Sequence, residues 1–303
     1  MPIYSVRHVT TYRYRQPVAF GEHRMMLLPR EGHDQHLLES SLKITPEPSS
    51  LAFSDDALGN RVGVARFDGR ADTLVFESNI RVELWRSHPS GLNIVDRAAS
   101  FPVEFGDEER ADLEPFLGRR HTDPDATLEG WAKSFLREGE PTPTLDLLLE
   151  MMSAIRGRFT YMRRTERGIQ NPATTLALKA GTCRDFTELM IEAVRSLGLP
   201  ARFVSGYLYV PARDRHDIHG GGSTHAWVQV YLSGAGWIDM CPTNAILGND
   251  GLIRIAIARE PSDAVPLYGS FRGFPSDDLG MEVMVKVLRE GNEAMEPVTG
   301  VAG

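Results

Sequence analysis

The chain contains few cysteines, no excess of basic residues and no long apolar segment. Only two cysteines, Cys183 and Cys241, occur in 303 residues, which argues against a disulfide framework and against a cysteine-rich zinc site. The chain has 33 basic and 41 acidic residues, which give a net charge of −8 at pH 7. Because the charges are dispersed and no basic face is visible, we expect no nucleic-acid partner.

Apolar residues are interrupted too often for a membrane segment. The opening residues, MPIYSVRHVTTYRYRQ, lack the apolar stretch of a secretory signal, and no later segment is apolar over the roughly 20 residues that a bilayer requires. We therefore expect a cytoplasmic protein without a membrane partner. The sequence does not indicate an oligomeric state.

The spacing of apolar residues changes along the chain. Short segments with a period of two, typical of strands, run through residues 3–85, and a tight-turn signal, Asp68-Gly69, separates two of them. Helical spacing follows in two stripes. We interpret both as core: Leu128, Trp131, Ala132, Phe135 and Leu136, then Leu147, Leu148, Met151, Met152 and Ile155.

Strand-like segments return at 201–210, 224–232 and 236–240, and again at 252–258 and 281–288. The sequence therefore predicts an α+β protein. We expect an N-terminal antiparallel β domain over 1–105, a core over 106–250 in which helices pack on an antiparallel sheet, and a C-terminal β extension over 251–303.

Cys183 lies at the predicted start of a helix. Thr182 is suited to the N-cap position, and Asp185 follows three residues later, as in a capping box. The free N–H groups and the helix dipole favour a thiolate there. A buried structural cysteine is the alternative. We favour a reactive thiol because Cys183 is off the apolar stripe of the helix, which consists of Phe186, Leu189, Met190, Ala193, Val194 and Leu197.

A nucleophilic cysteine needs a base, and the base needs a third group that orients it. His225 begins a strand-like segment after the helix, and Asp239 lies on the next such segment. Antiparallel pairing of these segments brings cysteine, histidine and a polar residue together.

At these residues the sequence resembles the transglutaminase-like superfamily of papain-type thiol enzymes, in the bacterial group with an N-terminal β domain. The resemblance rests on Gly181-Thr-Cys-Arg-Asp-Phe186, His225-Ala-Trp227, Leu199-Pro-Ala-Arg202, Val204-Ser-Gly-Tyr207, and Gly236-Trp237 before Pro242-Thr-Asn244. It implies a papain/transglutaminase-like core, Cys183 as nucleophile, His225 as base, a peptide or protein substrate and no cofactor.

The resemblance also implies cysteine-dependent acyl transfer from an amide bond through a thioester. We expect a peptidase or amidase, with a protein-glutamine transglutaminase or a catalytically silent binding module as alternatives. Residues 211–223, which include three consecutive glycines, are expected to form a lid that governs access to the thioester.

The third catalytic position does not match the family pattern. Counting from Trp237, the family's aspartate position falls on Cys241. Asp239 lies two residues earlier, on the same face of the strand but about 6–7 Å away. We predict Asp239 as the third member, re-aimed by a bulge near Pro242, with Cys241 as the alternative.

Two other interpretations are weaker. His216, His219 and His225 lie near Asp214 and Asp217, but a glycine-rich loop preorganises metal ligands poorly, so we expect no metal site. In a triad, the nucleophile and the third member flank the imidazole from opposite sides. We therefore expect no disulfide between the two cysteines.

Overall fold

The computed structural model describes residues 1–85, 91–162, 164, 168–211 and 222–291. Five strands come first in the chain and confirm the predicted N-terminal antiparallel sheet. They are β1 (Ile3–Met25), β2 (Gln35–Thr45), β3 (Ser50–Asp55), β4 (Arg61–Arg66) and β5 (Arg70–Leu84). Side chains of β1 and β5 alternate between buried and more exposed positions, as expected of strands with one face on a core.

Helices and short strands then form the core. The helices are α1 (Asp96–Ala99), α2 (Asp107–Leu113), α3 (Thr127–Lys133), α4 (Thr144–Arg158), α5 (Pro172–Leu178) and α6 (Cys183–Ser196). The two-residue strands between them are β6 (Ser100–Phe101), β7 (Thr142–Pro143), β8 (Thr160–Tyr161) and β9 (Ala180–Gly181). None of the helices among the described residues is both long enough and apolar enough to span a membrane.

The first predicted helix is shorter than its apolar stripe indicated. Phe135 and Leu136 lie beyond the last residue of α3. The carboxylate of Asp123 accepts hydrogen bonds from the backbone N–H groups of Leu128 and Glu129, so the aspartate supplies partners for free donors of the first turn from outside the helix.

The later strands are β10 (Ala201–Leu208), β11 (His225–Leu232), β12 (Gly236–Cys241), β13 (Ile246–Leu247), β14 (Leu252–Ala258), β15 (Leu267–Arg272) and β16 (Asp278–Arg289). Five of them form an antiparallel sheet in the order β13-β12-β11-β10-β14. Helix α6 packs on β10 and β11, and α3, α4 and α5 pack against it. Residues 185–195 of α6 are all buried, so this helix forms the centre of the core.

The last strands join sheets that earlier residues begin. Strand β14 is an edge of the five-stranded sheet beside β10, whereas β15 and β16 pair with β1. The N-terminal sheet thereby has seven strands, with β2-β5-β1-β4-β3 in order. Among the described residues, the segment predicted as a C-terminal extension therefore divides between the two sheets, because its strands find backbone partners on β10 and β1. The predicted boundaries at 105 and 250 remain predictions.

Candidate active site

The N-terminus of α6 is held by the predicted capping box. The Thr182 side chain accepts a hydrogen bond from the backbone N–H of Asp185 at 3.4 Å, and the Asp185 carboxylate accepts one from the backbone N–H of Thr182 at 2.8 Å. A Cβ added to Gly181 would lie 2.8 Å from the Cβ of Asp185, so a residue without a side chain precedes the cap. These contacts fix the position of Cys183, the first helical residue.

Asp185 is also the centre of a buried ion pair. Arg164 donates from Nε to Oδ2 at 2.9 Å and from Nη2 to Oδ1 at 3.0 Å, and the backbone N–H of Gln170 donates to Oδ1 at 2.7 Å. Because both carboxylate oxygens of Asp185 have several donors, its negative charge is neutralised locally. The segment before α6 is thus anchored to the first turn of the helix.

The Cys183 thiol lines a cavity of about 530 Å³. Its walls come from both domains: Thr182 and Arg184 from the core, and Met281 and Val283 from β16 of the N-terminal sheet. The backbone N–H of Val285 donates to the carbonyl of Gly222 at 3.1 Å, so β16 also holds the chain just before His225.

The electrostatic environment of Cys183 differs from the prediction. Burial raises the pKa of the Cys183 thiol, and it outweighs the hydrogen bond from the Ala226 N–H and the charge of Arg184, which both lower that pKa. The side chain is 7% exposed. The helix start therefore does supply stabilising donors, but loss of water has the larger effect. Burial therefore favours the neutral thiol of Cys183 over the thiolate.

His225 is the first residue of β11 and is fully buried, with 1% exposure. Its Nε2 lies 3.2 Å from Cys241 Sγ, and its ring stacks on Trp227, with centroids 6.2 Å apart. Burial lowers the pKa of His225 to about 4. Its Nδ1 is also buried, and it has no hydrogen-bond partner among the described residues.

The thiol and the imidazole lie at the same end of β11. The backbone N–H of Ala226, the residue after His225, donates to Cys183 Sγ. Neither ring nitrogen of His225 is hydrogen-bonded to Cys183 within the described parts of the chain. Catalytic hydrogen bonds are often long or misaligned before substrate binds. The arrangement leaves Nδ1 as the nitrogen available to the thiol.

Cys241, the alternative to Asp239 as the third member, is the residue that the structure places against the imidazole of His225. Besides His225, its sulfur contacts the backbone N–H groups of Thr243 and Asn244, and the Asn244 side-chain amide lies 3.8 Å away. Burial raises the pKa of the Cys241 thiol to about 12, so it stays neutral at physiological pH. Both cysteines are free.

The assignment of Asp239 as the third member is wrong in this structure. Trp227 Nε1 donates to Asp239 Oδ1 at 2.6 Å, Gln229 Nε2 donates to the same oxygen at 2.9 Å, and Arg254 Nη1 donates to Oδ2 at 2.7 Å. The strand register places Asp239 opposite Gln229, four residues along β11 from His225. The buried carboxylate therefore stabilises the sheet through a cation instead of orienting the imidazole.

Arg254, the cation that pairs with Asp239, was not among the residues predicted from the sequence. It is a single charged residue in the otherwise apolar strand β14, a pattern that indicates a buried, paired charge. Arg254 also donates to the carboxylate of Asp34, which lies between β1 and β2. This three-residue network joins the N-terminal sheet to the core sheet on the face opposite α6.

The alternative metal interpretation depended mostly on residues that the structure does not describe. His216, His219, Asp214 and Asp217 lie outside the described residues, as does most of the glycine-rich segment predicted to form a lid. Within the described ranges, no three His, Cys, Asp or Glu side chains are grouped so that they could hold a metal ion.

Comparisons with known proteins match both parts of the chain. A family model described as the bacterial transglutaminase-like N-terminal region matches residues 4–83, and the model of the transglutaminase-like superfamily matches residues 131–242. The chain is 30% identical over 282 residues to an uncharacterized protein of Mycobacterium tuberculosis H37Rv, covering 88% of this chain and 86% of that protein. An uncharacterized protein of Mycobacterium leprae is 26% identical over 291 residues, covering 94% and 98%.

A solved structure shares the fold across both domains. It comes from Cytophaga hutchinsonii, and its description proposes a cysteine protease. The TM-score is 0.71 at 20% identity, and the match covers 97% of this chain and 92% of that one.

Proposed function

The chain belongs to the transglutaminase-like superfamily, in the bacterial group with an N-terminal β region, and from that premise we propose that it is a cysteine-dependent acyl-transfer enzyme. The proposed substrates are peptides or other amides, and the proposed outcome is hydrolysis through a thioester. The observation that carries the proposal is that the two ring nitrogens of His225 have different surroundings. Nε2 lies against the sulfur of Cys241, while buried Nδ1 has no partner among the described residues.

This arrangement supports the tautomer that the proposed reaction needs. If Nε2–H donates to Cys241 Sγ, then Nδ1 carries a lone pair and accepts the proton of the Cys183 thiol. Because both groups are neutral at rest, the proton moves as the sulfur attacks. In the proposed reaction, the imidazole and the sulfur approach each other on substrate binding and form the required hydrogen bond.

In the proposed reaction, Cys183 Sγ bonds to the amide carbon, and the carbonyl oxygen becomes an oxyanion. The backbone N–H of Cys183, which has no partner within the helix at its first position, contributes to stabilising that charge. The C–N bond then breaks, His225 Nδ1–H protonates the departing nitrogen, and a thioester remains on Cys183. Water then attacks the thioester carbon and gives a proton to His225, the C–S bond breaks as the acid is released, and His225 returns the proton to the sulfur of Cys183.

The decisive test is alkylation of Cys183 by iodoacetamide near neutral pH. We expect His225→Ala to slow alkylation at least several-fold, because the imidazole no longer accepts the thiol proton. Cys183→Ser identifies the labelled residue by mass spectrometry, and fully buried Cys241 should label slowly in that variant. Alkylation that proceeds at the rate of an ordinary thiol and ignores His225→Ala would instead indicate a catalytically silent binding module.

Hydrolysis and amine transfer are separated by their products. The cavity beside Cys183 has a volume of about 530 Å³, enough to admit water to the thioester, as the proposed hydrolysis requires. Incubation with a glutamine-containing protein and a dansyl-amine should release ammonia or new termini without fluorescent product. Incorporation of the dansyl-amine would identify a protein-glutamine transglutaminase.

A further inference from the structure

A second cavity adjoins the cavity beside Cys183 along α6. The second cavity has a volume of about 360 Å³ and shares Gly168, Arg184 and Val265 with the first. Its walls also include Glu188, one helical turn beyond Arg184. A substrate whose amide bond reaches the sulfur can therefore extend past both charged side chains.

Arg184 directly follows the nucleophile and has a nitrogen without a partner. Its Nη2 is buried and makes no hydrogen bond in the described parts of the chain. The adjacent carboxylate of Asp185 is already engaged by Arg164, Thr182 and Gln170. The guanidinium of Arg184 thus forms no ion pair with any carboxylate among the described residues, a costly arrangement for a largely buried charge unless a ligand supplies a partner.

Glu188 carries the opposite charge, and it too has a buried atom without a hydrogen-bond partner among the described residues. The side chain is 2% exposed, and His121 Nε2 donates to its Oε1 at 3.1 Å. Its Oε2 is buried and lacks a hydrogen-bond partner among the described residues. One carboxylate oxygen is therefore available to a further donor.

Arg184 and Glu188 do not neutralise each other. Residues four apart on a helix normally pair when their charges are opposite, yet this pair forms no ion pair in the described structure. The rim of the second cavity is already balanced, since Arg120 pairs with Glu260. The unpaired guanidinium nitrogen and the unpaired carboxylate oxygen are buried, and they belong to side chains that line the second cavity; Arg184 also lines the cavity beside the nucleophile.

We infer that this groove selects amides whose substrate carries a carboxylate and an ammonium group beside the bond that Cys183 attacks. Arg184 binds the carboxylate, and Glu188 binds the ammonium. Helix geometry places Glu188 about 6 Å beyond Arg184 and about 7.5 Å beyond Cys183 along the axis. That span corresponds to about two residues of extended chain, so a segment of about two residues that carries both charges fills it. The inference deepens the proposed function and rests on it for the reaction itself.

The carboxylate contact can be tested without a known substrate. Iodoacetate and iodoacetamide alkylate the same sulfur, and only iodoacetate carries a carboxylate beside the reacting carbon. The ratio of their rates is independent of how much thiolate is present, because both reagents consume the same thiolate. We expect Arg184→Gln to lower the iodoacetate-to-iodoacetamide ratio about tenfold, the size of one charge-assisted hydrogen bond, and Arg184→Lys to lower it less.

The ratio is the proper readout because Arg184→Gln also removes a charge that lowers the pKa of Cys183. Both absolute rates should therefore fall in the variant. Thermal unfolding confirms that each variant is folded, and Arg184→Lys serves as the charge-retaining control. A ratio that stays unchanged in folded Arg184→Gln would overturn the carboxylate assignment.

The ammonium contact is tested with a longer pair of reagents. N-(2-aminoethyl)iodoacetamide carries an ammonium group, and N-propyliodoacetamide is its neutral counterpart of similar length. We expect the wild-type protein to favour the charged reagent and Glu188→Gln to reduce that preference about tenfold. The glutamine keeps an oxygen that accepts the His121 hydrogen bond, which makes it a matched control for packing. An unchanged preference would overturn the role of Glu188.

These outcomes are distinct from a failure of the proposed function. If His225→Ala leaves every alkylation rate unchanged while the two charge-dependent ratios still respond to Arg184→Gln and Glu188→Gln, the groove binds such ligands and the catalytic proposal is wrong. If His225→Ala slows alkylation and the two ratios do not change in Arg184→Gln and Glu188→Gln, the proposal of a cysteine-dependent enzyme is retained and the substrate assignment is wrong.

Discussion

Replacing Cys241 with aspartate should make the imidazole of His225 a stronger base. In the wild-type protein, the imidazole of His225 faces a thiol whose pKa is raised to about 12, and burial lowers the pKa of His225 itself to about 4. A neutral sulfur does little to stabilise the imidazolium that forms when Cys183 loses its proton. A carboxylate in its place would interact favourably with that positive charge.

The donors needed to hold a carboxylate are already in place. The backbone N–H groups of Thr243 and Asn244 contact the Cys241 sulfur, the Asn244 amide lies 3.8 Å from it, and His225 Nε2 lies 3.2 Å from it. A buried charge with several donors can be accommodated, whereas one without donors would unfold the site. We therefore expect the Cys241→Asp variant to fold.

The expected magnitude follows from the pKa of His225. An opposite charge at hydrogen-bond distance raises such a pKa by about one to three units, so about two units is a central value. Each unit is worth about 1.4 kcal/mol. The thiolate–imidazolium pair should therefore become about 100-fold more populated, and alkylation of Cys183 by iodoacetamide at pH 7 should accelerate by a similar factor.

Cys241→Asn is the matched control, because it has the shape of aspartate without its charge. Both variants leave Cys183 as the only cysteine, so total thiol loss measures its reaction directly. Histidine NMR should show the pKa of His225 rising from about 4 in the wild-type protein only in the aspartate variant. Equal alkylation rates for folded Cys241→Asp and Cys241→Asn would refute the idea that position 241 orients and charges the imidazole.

Three further predictions test the structural interpretation. Asp239→Asn should lower the free energy of unfolding by about 3 kcal/mol, because a buried ion pair loses one partner. Alkylation of Cys183 should still depend on His225 in this variant. Loss of that dependence would indicate that Asp239 is the third member of the triad. Burial lowers the pKa values of His225 and His8 to about 4, so the unfolded chain binds protons at these residues at a higher pH than the folded protein does. The free energy of unfolding should therefore be unaffected above pH 6.5 and should fall by up to about 3 kcal/mol for each histidine as the pH falls towards 4. Urea titrations across this range should show the loss, and His8→Gln should reduce it. Gly206→Ala should destabilise the core sheet by about 1–3 kcal/mol or more, since its Cβ would lie 2.0 Å from the carbonyl oxygen of Ile253; an unchanged urea midpoint would contradict that packing.

The start of α6 was predictable because its determinants are local. Thr182 and Asp185 are three residues apart, and the capping box that they form depends only on that spacing. The ionisation of Cys183 was not predictable in the same way. It depends on how much water the assembled domains remove from the sulfur, and the strands that close the cavity come from the far end of the chain.

The error at Asp239 has the same origin. Sequence order made it a candidate partner of His225, but its actual cation, Arg254, lies on β14, and the other partner of that cation, Asp34, lies more than 200 residues earlier. The return of β15 and β16 to β1 is another non-local pairing. Period-two patterns predict that such segments are strands, but they do not specify the neighbour.

The position of β16 has a consequence for the order in which a nascent chain acquires its chemistry. While the ribosome is still adding residues 251–289, the core sheet lacks its β14 edge, β1 lacks its partner β16, and Met281 and Val283 are missing from the wall beside Cys183. The thiol cleft can be completed only after the residues of β16 have been synthesised. The order of translation thereby delays the appearance of a reactive cysteine until the strand that confines it has been made.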